Sequence, residues 1–109
     1  MLTMRLYLSG PMTGLADFNH PAFREAAAVL REQGHVVVSP AELPGDKCDP
    51  WEVWMRKALT MLLTCEAVAF LPGWQASRGA TLEHHVAQAL GMQRFAYYSG
   101  KLRPLTRAR

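Results

Sequence analysis

The sequence predicts an α/β domain of three layers, a small parallel sheet of about four strands flanked by helices. Two observations carry that prediction. Short apolar runs closed by Gly or Pro alternate along the chain with longer segments whose apolar residues recur at helical spacing. The chain has 109 residues, enough for one core. A β-α-β-α-β-α-β order requires parallel strands joined by right-handed crossovers, so every strand ends along the same edge of the sheet. Ligands bind at that edge in such folds.

Residues 5–9 open the order, because Leu6, Tyr7 and Leu8 form an apolar run that Gly10-Pro11 cannot continue. A loop then reaches Asn19 or His20. Pro21 suits the first turn of a helix, and Phe23, Ala26, Ala27 and Leu30 keep helical spacing until Gly34 stops it. Residues 35–39 contain Val36, Val37 and Val38, a continuous run suited to a strand covered on both faces. After a loop over 40–47, Asp49-Pro50-Trp51-Glu52 reads as a cap, a first-turn proline and a carboxylate, opening a helix to about Thr64. Residues 67–71 form a third buried strand, ended by Pro72-Gly73. A helix from about Gly79 to Leu90 follows, with Leu82, Val86, Ala89 and Leu90 assigned to one apolar face and Gly91 as its stop. Residues 95–98 give the last strand. The domain then spans 1–99, and residues 100–109 are a basic tail holding Lys101, Arg103, Arg107 and Arg109.

A hydrophobic fraction of 50% with 19% charged residues excludes a disordered or membrane class. The longest apolar stretches, such as 67–71, are too short to span a bilayer, and the N-terminus lacks signal-peptide regions. The expectation is a soluble cytoplasmic protein with no membrane partner. Cys48 and Cys65 stand far apart without a CxxC or a His at ligand spacing, which argues for buried or idle thiols and against a disulfide framework or a zinc site. No metal and no cofactor is expected. Much of the net charge of +3 sits in the tail, and without aromatic interleaving it does not make nucleic acid the main partner.

Two segments at the ligand edge carry potential chemistry. In Ser9-Gly10-Pro11-Met12-Thr13-Gly14 the glycines let backbone N–H groups approach an anion or a base edge, and Ser9 and Thr13 add hydroxyl donors. A strand-to-helix connection that needs glycine for its dihedrals explains the loop equally well. Ser77-Arg78-Gly79 opens a helix with a hydroxyl, a guanidinium and an unobstructed backbone, which is a seat for an anion. Glu83, about one turn further on and near enough to the positive helix end to stay ionised, is either a nucleophile or a solvated glutamate paired with Arg78. His84 and His85 project about 100° apart and cannot share a metal with it. His85 suits a semi-buried position or a subunit contact. Trp74, in the same loop edge, either packs or stacks a base.

Together these residues resemble a known family. Leu6-Tyr7-Leu8-Ser9-Gly10-Pro11 and the Ser77, Gly79, Glu83 spacing resemble the nucleoside 2-deoxyribosyltransferase superfamily, which includes the deoxynucleoside 5′-monophosphate N-glycosidases. A little-characterised phage and bacterial branch is similar from Met4 to about Tyr98. Its marks are Gly10-Pro11-Met12-Thr13-Gly14, Asp17-Phe18-Asn19, Pro40-Ala41-Glu42, Trp54-Met55-Arg56, and Leu71-Pro72-Gly73-Trp74 through Glu83. The resemblance implies a flavodoxin-like or Rossmann-like fold. It also implies a carboxylate that attacks the anomeric carbon of a 2-deoxyribosyl group while a nucleobase leaves. By position Glu83 is the nucleophile, Tyr7 orients it, and Ser77 with the Gly79 backbone holds a 5′-phosphate or 5′-hydroxyl. Gly10, Pro11 and Met12 border the base. Ser9, Thr13, Asp17 and Trp74 complete the expected substrate contacts, and Arg78 is added as a phosphate partner on charge and placement alone.

One departure stands out. The family commonly has an aspartate after the basic pair in the helix before the third strand, where it helps protonate the leaving base. Here Ala58 follows Arg56-Lys57, and Glu66 holds the acidic position that opens the strand. Loss of a general acid costs about 10²- to 10⁴-fold in rate. Asp17 or Glu42 could take its place from the loops. The expected function is cleavage or transfer of the N-glycosidic bond of a 2′-deoxynucleoside or its 5′-monophosphate. The alternatives are a nucleotide-binding or nucleotide-sequestering protein without turnover and a phosphoribohydrolase-like enzyme on a ribonucleotide. Homo-oligomerisation is expected, with Met55, Met61, Trp51 and His85 offering surface for it.

Overall fold

A computed structural model describes residues 3–45 and 48–105. Its elements in chain order are β1 (Arg5–Ser9), α1 (His20–Glu32), β2 (Val36–Val38), α2 (Trp51–Leu62), β3 (Ala67–Phe70), α3 (Arg78–Ala89), β4 (Gln93–Tyr98) and β5 (Lys101–Pro104). The strands form one sheet in the order β2-β1-β3-β4-β5, parallel except for the antiparallel β4–β5 pair. The chain crosses over between β2 and β3, so the loops after β1 and β3 diverge at the centre of the carboxyl edge. A crevice opens at such a switch point.

Alternation along β1 decides what each layer is made of. Leu6 and Leu8 pack with Phe23, Ala26, Ala27 and Leu30 of α1 on one face. Tyr7 packs with Ala58 and Leu62 of α2 and Ala87 of α3 on the other. Every residue of β3 is buried, as expected of a strand covered on both sides.

The structure departs from the sequence expectation at β2, an edge strand whose Val36 is 55% exposed rather than covered on both faces, and in four further places. The stretch assigned to a basic tail contributes a strand: Ser99 (φ 46°) and Gly100 (φ 81°) make a two-residue turn, and Lys101 returns to pair with Tyr98. Left-handed dihedrals at both turn positions suit a tight hairpin. Arg107 and Arg109 lie outside the described residues, as do 46 and 47 of the loop over 40–47. Second, α2 starts at Trp51 with Pro50 as its N-cap residue, one position later than a helix capped by Asp49. Third, the buried residues of α3 are Ala80, Glu83 and Ala87, whereas Ala89 and Leu90 are exposed and Leu82 and Val86 only partly covered. Small side chains bring this helix close to the sheet, so size rather than hydrophobicity selects its inner face. Fourth, the loop after β1 contains a 3-10 turn, Ala16–Asn19, in which Asp17, Phe18 and Asn19 all have φ between 50° and 60°. Asp and Asn tolerate that conformation, whereas for Phe18 it costs about 1–2 kcal/mol. The turn is held by Phe18 N–H donating to Leu15 O at 3.0 Å and Asn19 Nδ2 donating to Pro11 O at 2.9 Å.

Candidate active site

Glu83 lies in the sixth position of α3, beyond the helix's first turn, and is 5% exposed. Two hydroxyls from β1 grip it: Tyr7 Oη donates to Oε2 at 2.5 Å, and Ser9 Oγ donates to Oε1 at 2.6 Å. The two-residue period of the strand puts both donors on the face that α3 covers. Burial pushes the Glu83 carboxyl up to about 7, against the opposing pull of the Ser9 and Tyr7 hydrogen bonds. This corrects the expectation of a carboxylate kept ionised by the helix end, because the dipole fades beyond the first turn while desolvation does not. Burial, with Glu83 beside it, raises the Tyr7 phenol well above its usual value, so Tyr7 stays protonated and acts as a donor.

Glu83 borders a cavity of about 360 Å³ at the carboxyl edge. That is at the small end of the range for ligand pockets, about 300–1,000 Å³, and suits one nucleoside-sized molecule. Gly10, Met12 and Thr13 line it from the first loop, and Ser77, Gly79 and Glu83 from α3 and its cap. These are six of the twelve residues expected from the sequence. The other six lie elsewhere, each for a visible reason. Tyr7 and Ser9 are fully buried and hydrogen-bonded to Glu83. Pro11 is tied through its carbonyl to Asn19, and Asp17 is exposed on the left-handed turn. Trp74 does not line the cavity: it stacks on His84 at 4.7 Å and packs against Phe70. Arg78 lies outside the lining with its guanidinium 3.7 Å over the Trp51 ring, and since Trp51 itself lines the cavity this places a cation at the rim.

Sequence reasoning missed most of the other walls. Trp51, Trp54, Met55 and Ala58 of α2 form one side, Phe18 and His20 a second, and Pro40, Ala41 and Leu43 a third. Met55 and Trp51 line the cavity, and His85 is exposed. The available signal was the pairing of two tryptophans with Met55 on one helix, which hydropathy alone scores as ordinary packing. Gly45 lies close against Trp54, where a Cβ would come within 2.7 Å of Cη2.

Glycine at position 10 has a packing explanation as well. A Cβ there would sit 2.8 Å from Leu71 Cβ, so close approach of the ends of β1 and β3 requires its absence. Ser77 caps α3 by accepting from Ala80 N–H at 3.2 Å. Glu42, a candidate replacement acid, is instead paired with Arg31 through two contacts of 2.9 Å, which hold it below the usual carboxylate range and outside the lining. Asp17 is outside the lining too. Among the described residues no group of three His, Cys, Asp or Glu side chains converges on a metal position, and no helix is long and apolar enough to cross a membrane.

The sheet order and the crevice at its switch point define a flavodoxin-like α/β protein. The chain belongs to the family described as Domain of unknown function (DUF4406), whose model matches residues 4–95. No curated protein matches it. Among solved structures it is similar to the 2-deoxyribosyltransferase of the psychrotolerant bacterium Bacillus psychrosaccharolyticus, with a TM-score of 0.65 and 22% identity over 84% of this chain and 70% of the other. Identity at that level establishes the shared fold.

Proposed function

We propose that the protein cleaves or transfers the N-glycosidic bond of a 2′-deoxynucleoside or its 5′-monophosphate, with Glu83 as nucleophile. The observation that carries this reading is the buried Glu83 carboxyl, fixed by Tyr7 and Ser9 at the edge of a nucleoside-sized cavity. Attack by Oε on the anomeric carbon forms a glycosyl ester as the carbon–nitrogen bond breaks. Water or a second base then restores the free carboxylate. Among the described residues the lining holds the carboxyl groups of Asp49 and Glu83 and neither Lys nor Arg. The ionised form of Glu83 favours the cationic sugar of an oxocarbenium-like transition state, and among the described residues a 5′-phosphate meets a cation at the rim, near Ser77 and Arg78. The likeness to a 2-deoxyribosyltransferase supports the substrate class. Incubation with each deoxynucleoside and monophosphate should release free base by chromatography, and Glu83→Gln should abolish the release.

A second reading, a nucleotide-binding protein without turnover, is favoured by Ala58, which brings only a methyl group to the cavity where the family resemblance leads one to expect an acid. Tight nucleotide binding without base release would establish it. Hydrolysis gained in Ala58→Asp would then explain the silence of the parent protein.

A further inference from the structure

We propose that His20 is the proton donor to the departing base, an inference that rests on the N-glycosidase reading above. A purine or pyrimidine leaves poorly as an anion, so the reaction needs a proton at a ring nitrogen. Glu83 is committed to the anomeric carbon, and Ala58 offers no proton. Among the described residues the remaining titratable side chains on the lining are His20 and Asp49, and Asp49 already has an interaction of its own.

His20 differs from the other histidines of the chain in being available. His35 Nδ1 accepts from Met4 N–H, His84 Nε2 is bonded to Arg94 at 2.8 Å, and His85 is exposed outside the lining. The half-buried His20 imidazole makes no hydrogen bond among the described residues, and its ring lies 6.4 Å, centroid to centroid, from that of Phe18. Its backbone N–H is fixed to Asp17 O at the end of the left-handed turn. That turn brings Phe18 and His20 together onto the cavity, and non-glycine residues in this conformation cluster at ligand sites.

In the step itself a Glu83 oxygen bonds to C1′, the C1′–N pair passes to the base, and protonated His20 gives its proton to a ring nitrogen. Neutral His20 then takes a proton from the attacking water as the C1′–Oε bond breaks and its electron pair returns to Glu83. The atoms and charges balance with water as the only co-reactant.

The test compares 2′-deoxyguanosine with its N7-methylated form, whose base leaves without protonation. His20→Asn should lose at least about 100-fold in rate on deoxyguanosine and stay within a few-fold of wild type on the methylated substrate. Added imidazole should restore part of the rate of His20→Ala, with melting curves confirming that both variants fold. Equal losses on the two substrates, no loss, or the selective loss appearing in Asp49→Asn instead would each overturn the assignment. Failure of wild type to release base from either substrate would defeat the N-glycosidase reading itself, and the proton donor with it.

Discussion

Glu83 is held between two opposing effects: burial favours its neutral form, and the Tyr7 and Ser9 hydroxyls favour its charge. With its carboxyl near 7, the nucleophilic form is gained as pH rises through neutrality, so a pH profile of kcat/KM should have an acid limb near 7. A limb near 4 would show that Glu83 is not the nucleophile or that it is solvated. Tyr7→Phe removes a hydrogen bond to a charged group, worth about 1.5–3 kcal/mol. That should move the limb upward by about one to two pH units. An unmoved limb would deny Tyr7 its positioning role. The same shift bears on stability, because the native protein binds more protons than the unfolded chain between the ordinary carboxylate range and about 7. Stability should therefore fall with rising pH across that window, by at most about 1.4 kcal/mol per unit from this group. Urea titrations should find that slope reduced in Glu83→Gln. The candidate pair was legible because Tyr7 and Glu83 stand in the segments on which the family resemblance rests; the displaced ionisation was not, since it depends on what covers α3.

The elements that carry these residues were read largely from periodicity and breakers, and the failures are instructive. The first four strands and three helices show clear apolar runs or helical spacing between Gly and Pro stops. β5 escaped because Lys101, Arg103 and Pro104 look like a solvated end, although Ser99-Gly100 was a hairpin signal. The inner face of α3 was misassigned because Ala80 and Ala87 score below Leu82 and Leu90, yet only the small pair lets the helix approach Tyr7 and Ser9. The left-handed turn at 17–19 has no periodic signature at all. Two outcomes belong to this scale. Ser77→Ala should cost about 1 kcal/mol through its cap on α3, visible in thermal melts. Gly10→Ala should cost about 1–3 kcal/mol, because its Cβ drives into Leu71, and a neutral result would show that the β1 and β3 ends can part.

For the whole molecule, the sheet order puts the loops after β1 and β3 around one crevice, and α2 closes it with Trp51, Trp54 and Met55. In this basic protein the described residues of the cavity lining include neither Lys nor Arg, which fits a sugar cation better than a deeply held phosphate. Leu63 and Leu90, each 59% exposed, leave apolar surface for the homo-oligomer expected from the sequence, and light scattering should find more than one copy per particle. The most direct measurement of the nucleophile assignment is mass spectrometry of the protein incubated with a 2′-deoxy-2′-fluoronucleoside, whose sugar substituent slows release of the glycosyl ester. A sugar adduct is expected on the peptide containing Glu83 and none in Glu83→Gln. Release of base with no adduct, or an adduct on another residue, would contradict it.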